Sequence, residues 1–227
     1  MIEAIGVVVP AHDEEALLPA CLRSLHRAAT AVDGLPVHLV VVADACRDQT
    51  ASIARRAGAT AVIIGARAVG AARAAGMREI LCRTWRLDPA TVWLATTDAD
   101  TRVPVDWLSQ QVRYADQGWD AVVGTVQVAD WSAQQYGVRS LFEDRYRDGT
   151  GPHAHVHGAN LGFRAAAYLT AGGFPAVTTA EDHELIAIME ASGSRILRTR
   201  QVTVLTSARR RARAPHGFSH YLSELAD

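Results

Sequence analysis

Lysine is absent from this chain of 227 residues, and cysteine is scarce. Any side-chain cation offered to a phosphate must therefore be an arginine guanidinium, with backbone N–H groups or a metal as the other sources of positive charge. The three cysteines, Cys21, Cys46 and Cys82, lie far apart and form no CxxC pair. This odd, scattered set excludes a disulfide framework and a cysteine zinc site, and it predicts buried thiols in a reducing compartment.

The sequence also lacks long apolar runs and an excess of charge. No apolar stretch reaches the roughly 18 residues that a membrane-spanning helix needs, and the N-terminus does not resemble a signal peptide. The formal net charge of −1 gives no electrostatic reason to expect nucleic acid or an acidic membrane as a partner. We expect a soluble, cytoplasmic protein, and the abundance of alanine and arginine favours a GC-rich, bacterial source.

Hydrophobic residues make up 49% of the chain, enough for the core of one large α/β domain or of two halves that share a core. In the first hundred residues, apolar runs alternate with helical periodicity. Strands are predicted at 5–9, 38–43, 61–64 and 92–96, and helices at 14–31, 48–57 and 69–85. Continuous apolar strands separated by helices are typical of a parallel sheet covered on both faces.

The pattern changes after residue 100. We predict helices at 104–117, 132–147 and 179–192, a strand at 121–128, and two short strands within 195–206. The segment 155–164 mixes polar and apolar residues around Gly158 and Gly162. Because no internal repeat or low-complexity linker interrupts the chain, residues 1–227 are predicted to form a single compact unit.

A short apolar strand leads into two carboxylates one residue apart, Asp98 and Asp100. Their mutual repulsion needs a cation to offset it, and hard divalent cations bind carboxylate and phosphate oxygens together. In parallel sheets, ligands bind at the carboxyl ends of the strands, where this pair falls. Two readings stay open from these residues alone: a metal that faces a phosphorylated ligand, or a solvated loop whose acids cap the next helix.

Six segments occur in an order that resembles a known family: VVVPAHDEEALLPACLRSL at 7–25, VVVADACRDQT at 40–50, GAARAAGMREI at 70–80, TDAD at 97–100, HGANLGFR at 157–164 and AEDHEL at 180–185. They resemble the family 2 glycosyltransferases of the GT-A fold. TDAD is similar to the DxD motif, and the last two segments are similar to the acceptor-side glycine–asparagine loop and the ED helix. The resemblance implies an α/β protein with a mostly parallel central sheet flanked by helices. A nucleotide-sugar-binding half, 1–100, would be fused to an acceptor and catalytic half, 101–206, with a tail, 207–227.

The resemblance implies a metal-dependent, inverting transfer of a sugar from a nucleoside-diphosphate donor, expected to be a UDP-sugar, to a hydroxyl of a discrete small or lipid-linked acceptor. Mg²⁺ or Mn²⁺ would be the cofactor. Asp100 is the expected direct ligand, with Asp98 nearer the ribose or a metal-bound water. The tail lacks the QxxRW signature of processive polysaccharide synthases, which favours single transfer.

For the donor, the resemblance places backbone groups of Pro10 and Ala11 against the base, and Glu14 either near the ribose or at the start of the first helix. Asp44 would accept a hydrogen bond from the base, or it caps the helix that follows, for which Asp48 is the better candidate. His12 either stacks on the base or is an exposed loop residue.

The diphosphate needs positive charge beyond one metal. Arg67, in a loop, is favoured over Arg73, which a helical pattern would equally place on a solvated helix face. A charge run is usually a solvated face, but from the run at 209–213, one or two arginines, Arg210 among them, are expected to close over the diphosphate.

Sugar transfer needs a base for the acceptor hydroxyl. The resemblance favours Asp182 as this base and Glu181 as its neighbour. The choice between them stays open, and residues 178–181 also fit an S/T-x-x-E capping box. The expected acceptor contacts are His157, Gly158, Ala159 and Asn160.

The HAHVH run at 153–157 has three readings: an acceptor surface, the face of an ordinary strand, or a metal site.

Two departures from the family pattern keep alternatives open: Ala43 stands where an Asp is frequent, and Ala74 where an Asn is frequent. A nucleotidyltransferase of related architecture is one alternative, although its Gly-rich basic loop is replaced here by the acidic segment 12–15. A non-catalytic nucleotide-sugar-binding module is another. No GxGxxG follows the first strand, which disfavours a dinucleotide-binding domain. A homodimer is left open.

Overall fold

The computed structural model describes residues 1–128, 130–132, 137–147 and 153–207, with side chains omitted at 143–145 and 147. Within these segments, one seven-stranded sheet has the order β3-β2-β1-β4-β6-β5-β7. Its strands are β1 (Ala4–Ala11), β2 (Val37–Asp44), β3 (Thr60–Ile64), β4 (Val92–Thr96), β5 (Ala121–Val128), β6 (Leu161–Arg164) and β7 (Ile196–Thr206). Only β6 runs antiparallel to its neighbours, so the predicted mostly parallel sheet is confirmed.

Helices cover both faces of the sheet. In the described segments they are α1 (Leu18–Thr30), α2 (Thr50–Arg56), α3 (Val69–Arg83), α4 (Trp107–Asp116), α5 (Val138–Arg147), α6 (Ala165–Thr170) and α7 (Glu181–Ala191). Side chains alternate between the faces of a strand, and β1 therefore sends Val7 and Val9 into one core cluster and Val8 into the other. The first cluster packs under α1, α4 and α5, and the second under α3, α6 and α7.

The first helix begins four residues later than its sequence pattern predicts. Its buried stripe recurs at helical spacing from Leu18 through Leu25, and Pro19 occupies the first turn, where a missing N–H costs nothing. Residues 14–17 instead form a turn in which the carbonyl of Glu14 accepts bonds from the N–H groups of Leu17 and Leu18, at 3.1 and 2.9 Å. This turn keeps Glu14 at the carboxyl end of the sheet rather than in the helix.

Two other expectations are wrong. Residues 196–206 form one strand, β7, and not two, because its pairing with β5 continues through a register shift between Val123 and Thr125. Of the three free cysteines, Cys21 is buried but Cys82 is exposed. Within the described ranges, no helix is both long and apolar enough to cross a membrane.

Candidate active site

A cleft of about 750 Å³ opens at the carboxyl ends of the parallel strands, where ligands of such sheets bind. Its walls come from the loops after β1, β2, β3 and β4 and from residues 154–159 and 178–183. The sequence-predicted residues that line it are Pro10, Ala11, His12, Glu14, Asp44, Arg67, Arg73, Asp98, Asp100, His157, Gly158, Ala159, Glu181 and Asp182. Arg210 lies outside the described residues.

Four non-glycine residues around this cleft have left-handed backbones. Asp13, Ala45, Arg67 and Ala180 have φ of 52°, 51°, 51° and 62°, a region that side chains with a Cβ rarely adopt. Each of them lies in a different loop at the edge of the cleft, which we name the rim: the loops after β1, after β2 and after β3, and the loop before α7. Backbone strain of this kind concentrates at functional sites, where the surrounding fold holds it in place.

Asp44 is anchored at the start of α3. Its buried carboxylate accepts the backbone N–H groups of Arg67 and Ala68 at 2.8 and 2.9 Å, a favourable place for an anion because a helix N-terminus carries partial positive charge. Its carbonyl oxygen lies 2.7 Å from Nδ1 of His12. Asp44 therefore fixes the loop that carries Arg67 and the position of the His12 ring, and its contact with a base stays a prediction.

The loops after β1 and β2 interlock. The N–H of Glu14 donates to Thr50 Oγ1 at 2.8 Å, and the N–H of Arg47 donates to Asp13 Oδ1 at 2.7 Å. Asp48 precedes Gln49, the N-cap of α2, and its Oδ1 accepts the N–H of Thr50 at 2.9 Å. These bonds pre-organise the loops that form this side of the cleft.

Two groups of side chains are candidate metal sites. Within the described segments, one group brings three candidate ligand atoms within 4.8 Å of one another, from Asp13, Cys46 and Asp48. It holds the loops together and does not line the cleft. Asp98 and Asp100 do line it, and two carboxylates completed by phosphate oxygens and water are a donor set that suits Mg²⁺ or Mn²⁺.

Arg73 is buried, and the alternative that placed it on a solvated helix face is wrong. Its Nε donates to Thr96 Oγ1 at 3.2 Å and its Nη2 to Asp98 Oδ1 at 2.7 Å. Its Nη1 donates to Glu181 Oε1. One guanidinium therefore joins the end of β4 to the first turn of α7, and its direct contact with a diphosphate stays a prediction.

Glu181 and Asp182 are adjacent in sequence but differ in environment. Glu181 is buried against Arg73. Asp182 is only partly buried, and its Oδ2 accepts the N–H of Gly158 at 2.7 Å. The capping box predicted at 178–181 is absent from this described turn, because the N-cap is Ala180, which has no side-chain cap.

Asn160 requires a correction, because its side chain lies in the core and not in the cleft. Its Nδ2 donates to the carbonyls of Thr125 and Val202 at 2.8 and 2.9 Å, and its Oδ1 accepts from Trp107 Nε1 at 2.8 Å. With 1% of its surface exposed, Asn160 ties β5 and β7 to α4. It supports the loop of Gly158 and Ala159 from below instead of contacting an acceptor.

The histidines of the 153–157 run form a ladder of nearly parallel rings, with 6.0 Å between successive ring centroids. Burial lowers the pKa of His153, His155 and His157, and that of His157 falls to about 4, although the nearby Asp182 opposes the shift. In the residues that the structure covers, these histidines do not form a three-ligand group, so the metal-site reading of the run is not supported.

Sequence reasoning missed Val126 and Tyr146 as lining residues. The available signal was an aromatic pair at i, i+4 spacing: Phe142 and Tyr146 share one face of α5, with ring centroids 4.7 Å apart. Nothing in the sequence shows that this face meets the histidine ladder.

Residues 6–170 match the glycosyl transferase family 2. The match covers most of the chain, and the protein belongs to this family of glycosyltransferases. No curated protein is similar to it in sequence. Solved structures share its fold at low identity, which extends the GT-A assignment to nearly the whole chain.

Three such structures illustrate the likeness. TarS 1–349 of S. aureus, in complex with UDP-GlcNAc, has a TM-score of 0.66 and 14% identity over 99% of this chain and 65% of its own. The mannosyltransferase PcManGT of Pyrobaculum calidifontis, with GDP-Man and Mn²⁺, has 0.63 and 19% over 98% and 60%. Glucosyl-3-phosphoglycerate synthase of Mycobacterium tuberculosis, with Mn²⁺, UDP and glucosyl-3-phosphoglycerate, has 0.58 and 17% over 92% and 73%. This chain spans less than two thirds of the length of the first two proteins.

Proposed function

We propose that this protein transfers a sugar from a nucleoside-diphosphate donor, a UDP-sugar, to a hydroxyl of a discrete small or lipid-linked acceptor, with inversion and with Mg²⁺ or Mn²⁺. The observation that carries the proposal is the reach of Arg73. Because this guanidinium contacts both Asp98 and Glu181, the acidic end of β4 and the first turn of α7 face the same cleft.

The donor occupies the rim in this proposal. The base is surrounded by backbone groups of Pro10 and Ala11 and by the side chain of His12. Glu14 lies near the ribose, and Asp44 accepts a hydrogen bond from the base with one of its remaining lone pairs. Arg67, with Arg210 from the tail, offers charge to the diphosphate. The assignment of the base as uracil draws on the TarS and synthase complexes, which contain UDP-GlcNAc and UDP, whereas PcManGT contains GDP-Man.

Asp100 and Asp98 would hold the metal, which supplies positive charge to the leaving diphosphate. Asp98 is already oriented by Arg73, so its second oxygen is directed rather than free to rotate. Arg73 also offsets the repulsion between this pair and Glu181, because its one cation contacts Asp98 and Glu181 together.

Asp182 is the base in this proposal, and Glu181 positions Arg73. The acceptor hydroxyl attacks the anomeric carbon, the bond from that carbon to the phosphate oxygen breaks, and the hydroxyl proton passes to Asp182. The nucleoside diphosphate departs with the bonding electrons. Glu181 is less suited to the step, because accepting a proton would leave the Arg73 cation with one anionic partner fewer in a buried place.

Binding of the donor tests the proposal directly. We expect UDP with Mn²⁺ to raise the melting temperature of the purified chain, GDP to do so less, and EDTA to abolish the effect. The double variant D98N/D100N should lose the metal-dependent shift. The matched double variant D13N/D48N keeps an amide oxygen for the backbone N–H groups of Arg47 and Thr50, and it should therefore keep the metal-dependent shift. A shift lost in D13N/D48N and kept in D98N/D100N would overturn the metal assignment.

The proposal also divides the chain into a donor half, 1–100, an acceptor and catalytic half, 101–206, and a tail, 207–227. It further includes a cytoplasmic location for the enzyme. Nothing described here favours a homodimer, a nucleotidyltransferase or a non-catalytic module. Hydrolysis or transfer of the donor sugar would argue against the non-catalytic module. Failure to release pyrophosphate from a nucleoside triphosphate would argue against the nucleotidyltransferase.

A further inference from the structure

Aromatic rings line the far end of the cleft, on the side opposite the loops after β1, β2 and β3 where the proposed donor binds. Tyr146 of α5 and His155 stack with ring centroids 4.2 Å apart and planes 12° from parallel. Phe142 stacks behind Tyr146 at 4.7 Å. Tyr146 and His155 both line the cleft, together with Val126 and Val156. We name the Tyr146–His155 pair the aromatic wall.

The aromatic wall is held in place from several sides. The hydroxyl of Tyr146 accepts the N–H of Val126 at 2.8 Å, and Arg200 Nη1 donates to the Tyr146 carbonyl at 3.0 Å. His155 belongs to the same segment as Gly158, whose N–H binds Asp182. One short stretch of chain therefore carries both His155 of the wall and, three residues later, the N–H group that binds the proposed base.

The charge at this end is negative. Glu181 is neutralised by Arg73, which leaves the carboxylate of Asp182 facing the cleft. Burial lowers the pKa of His155, so its ring is uncharged at neutral pH. Among the described lining residues of this end, from 154–159, 126, 146 and 206–207, there is no arginine. Arg200 and Arg198 bind the carbonyls of Tyr146 and Ala154 but do not line the cleft. An anionic group placed here would therefore meet the carboxylate of Asp182 without a lining arginine to offset the repulsion.

We infer that the far end of the cleft binds the neutral pyranose ring of a glycoside acceptor, stacked on the face of His155 that is turned away from Tyr146, with one hydroxyl directed at Asp182. Tyr146, covered by His155 and Phe142, holds the His155 ring in place. The inference rests on the proposed function and specifies its acceptor. The apolar face of a sugar ring complements an aromatic plane, and the rigid stack loses little entropy on binding. The transferred group then forms its new bond to that hydroxyl, as described above.

Matched ligands test the inference by ligand-observed NMR in the presence of UDP and Mg²⁺. The panel contains the methyl glycosides of glucose, galactose and mannose, the 6-phosphate of each, and glycerol as a neutral hydroxyl compound without a ring. We expect at least one methyl glycoside to bind about tenfold more tightly than its 6-phosphate and than glycerol. Equal or tighter binding of the phosphates, or binding of no glycoside while UDP binds, would overturn the inference.

Variants locate the binding. His155→Ala should weaken the glycoside about fivefold, the range that one stacking contact provides, and His155→Phe should retain the affinity. His26→Ala, at an exposed histidine of α1, is the control and should change nothing. UDP affinity should be the same in all four proteins. Unchanged glycoside affinity in His155→Ala would show that the aromatic wall does not bind the glycoside. Failure of the native chain to bind UDP would instead contradict the proposed function itself.

Discussion

Arg73 and Glu181 form a buried ion pair that joins α3 to the first turn of α7, with each side chain only 4% exposed. The same guanidinium reaches Asp98, whose side chain is 36% exposed. The pair is therefore the link between the inside of the protein and the acidic surface of the cleft. Gly70, one turn earlier on α3, packs against the carbonyl oxygens of Pro175 and Val177, so α3 also contacts the loop that leads into α7.

Removing one partner of this pair should be strongly destabilising. Arg73→Met leaves Glu181 as an uncompensated buried anion, and we expect a loss of about 3–5 kcal/mol in the free energy of unfolding. Glu181→Gln keeps an acceptor for Arg73 and should lose less. Urea denaturation measures both, and the double variant should be less damaging than the sum of the two because the residues share one interaction.

A surface pair provides the control for Arg73. Arg83 and Glu79 form an exposed i, i+4 ion pair on the same helix at 2.8 Å, and Arg83→Met should change stability by no more than about 0.5 kcal/mol. Comparable losses at positions 73 and 83 would contradict the structural role given to Arg73. Strictly additive losses in the double variant would contradict its pairing with Glu181.

A methyl group at Gly158 should disturb the same guanidinium. A Cβ added there would lie 2.3 Å from Nη2 of Arg73, a contact that forces the side chain or the loop to move. We expect Gly158→Ala to lower kcat at least about tenfold, because the N–H that binds Asp182 moves with the loop. Gly65→Ala is the control, since a Cβ there meets nothing within 4 Å. Steady-state kinetics that do not distinguish the two variants would refute the close packing.

The sequence predicts the sheet well where one rule dominates. β4 and β5 have the bounds that their apolar runs predict, because a strand buried on both faces is mostly apolar and contains few polar residues. The sequence also predicts the position of the cleft, because polar residues collect where the parallel strands end. β7 was divided wrongly because its irregular pairing depends on β5, a partner that is distant in sequence.

The side-chain partners could not be predicted. Asn160 lies two residues after a glycine in a loop, a context typical of ligand contacts, yet its three side-chain hydrogen bonds go to β5, β7 and α4. Arg73 is one arginine among several on α3, and only the arrival of α7 from a hundred residues away makes it a buried bridge. Such roles depend on tertiary contacts that local pattern does not encode.

Replacing Asp182 should separate catalysis from donor binding. Asp182→Asn keeps an acceptor for the N–H of Gly158 but cannot take a proton, so kcat should fall by about 10²- to 10⁴-fold while the donor KM stays near its native value. Asp33→Asn, at an exposed position, should behave as the native enzyme. Near-native turnover by Asp182→Asn, together with a large loss in Glu181→Gln, would reverse the assignment of the base.

Acid should destabilise the protein through its histidine ladder. Burial lowers the pKa of His157 from 6.5 to about 4, so between these values the unfolded chain binds the proton that the folded chain excludes. Stability therefore falls as the pH decreases from 6.5 towards 4. The lowered pKa values of His153 and His155 act in the same direction. Urea denaturation at several pH values should show a shallower slope for His157→Gln than for the native protein or the exposed-site control His26→Gln. Identical slopes would contradict the burial of a neutral ring.

Asn160 offers a test of core against cleft. Asn160→Ala leaves the Trp107 indole N–H and two strand carbonyls without their partner, and we expect a loss of about 3 kcal/mol or more in the free energy of unfolding, since each unsatisfied buried group costs about 1–3 kcal/mol. Trp107→Phe removes the indole N–H bond alone and should lose less. In the fraction that remains folded, the KM for the acceptor should stay within about twofold of the native value, because no atom of Asn160 faces the cleft. A large rise in the acceptor KM with little change in stability would instead restore the predicted acceptor contact.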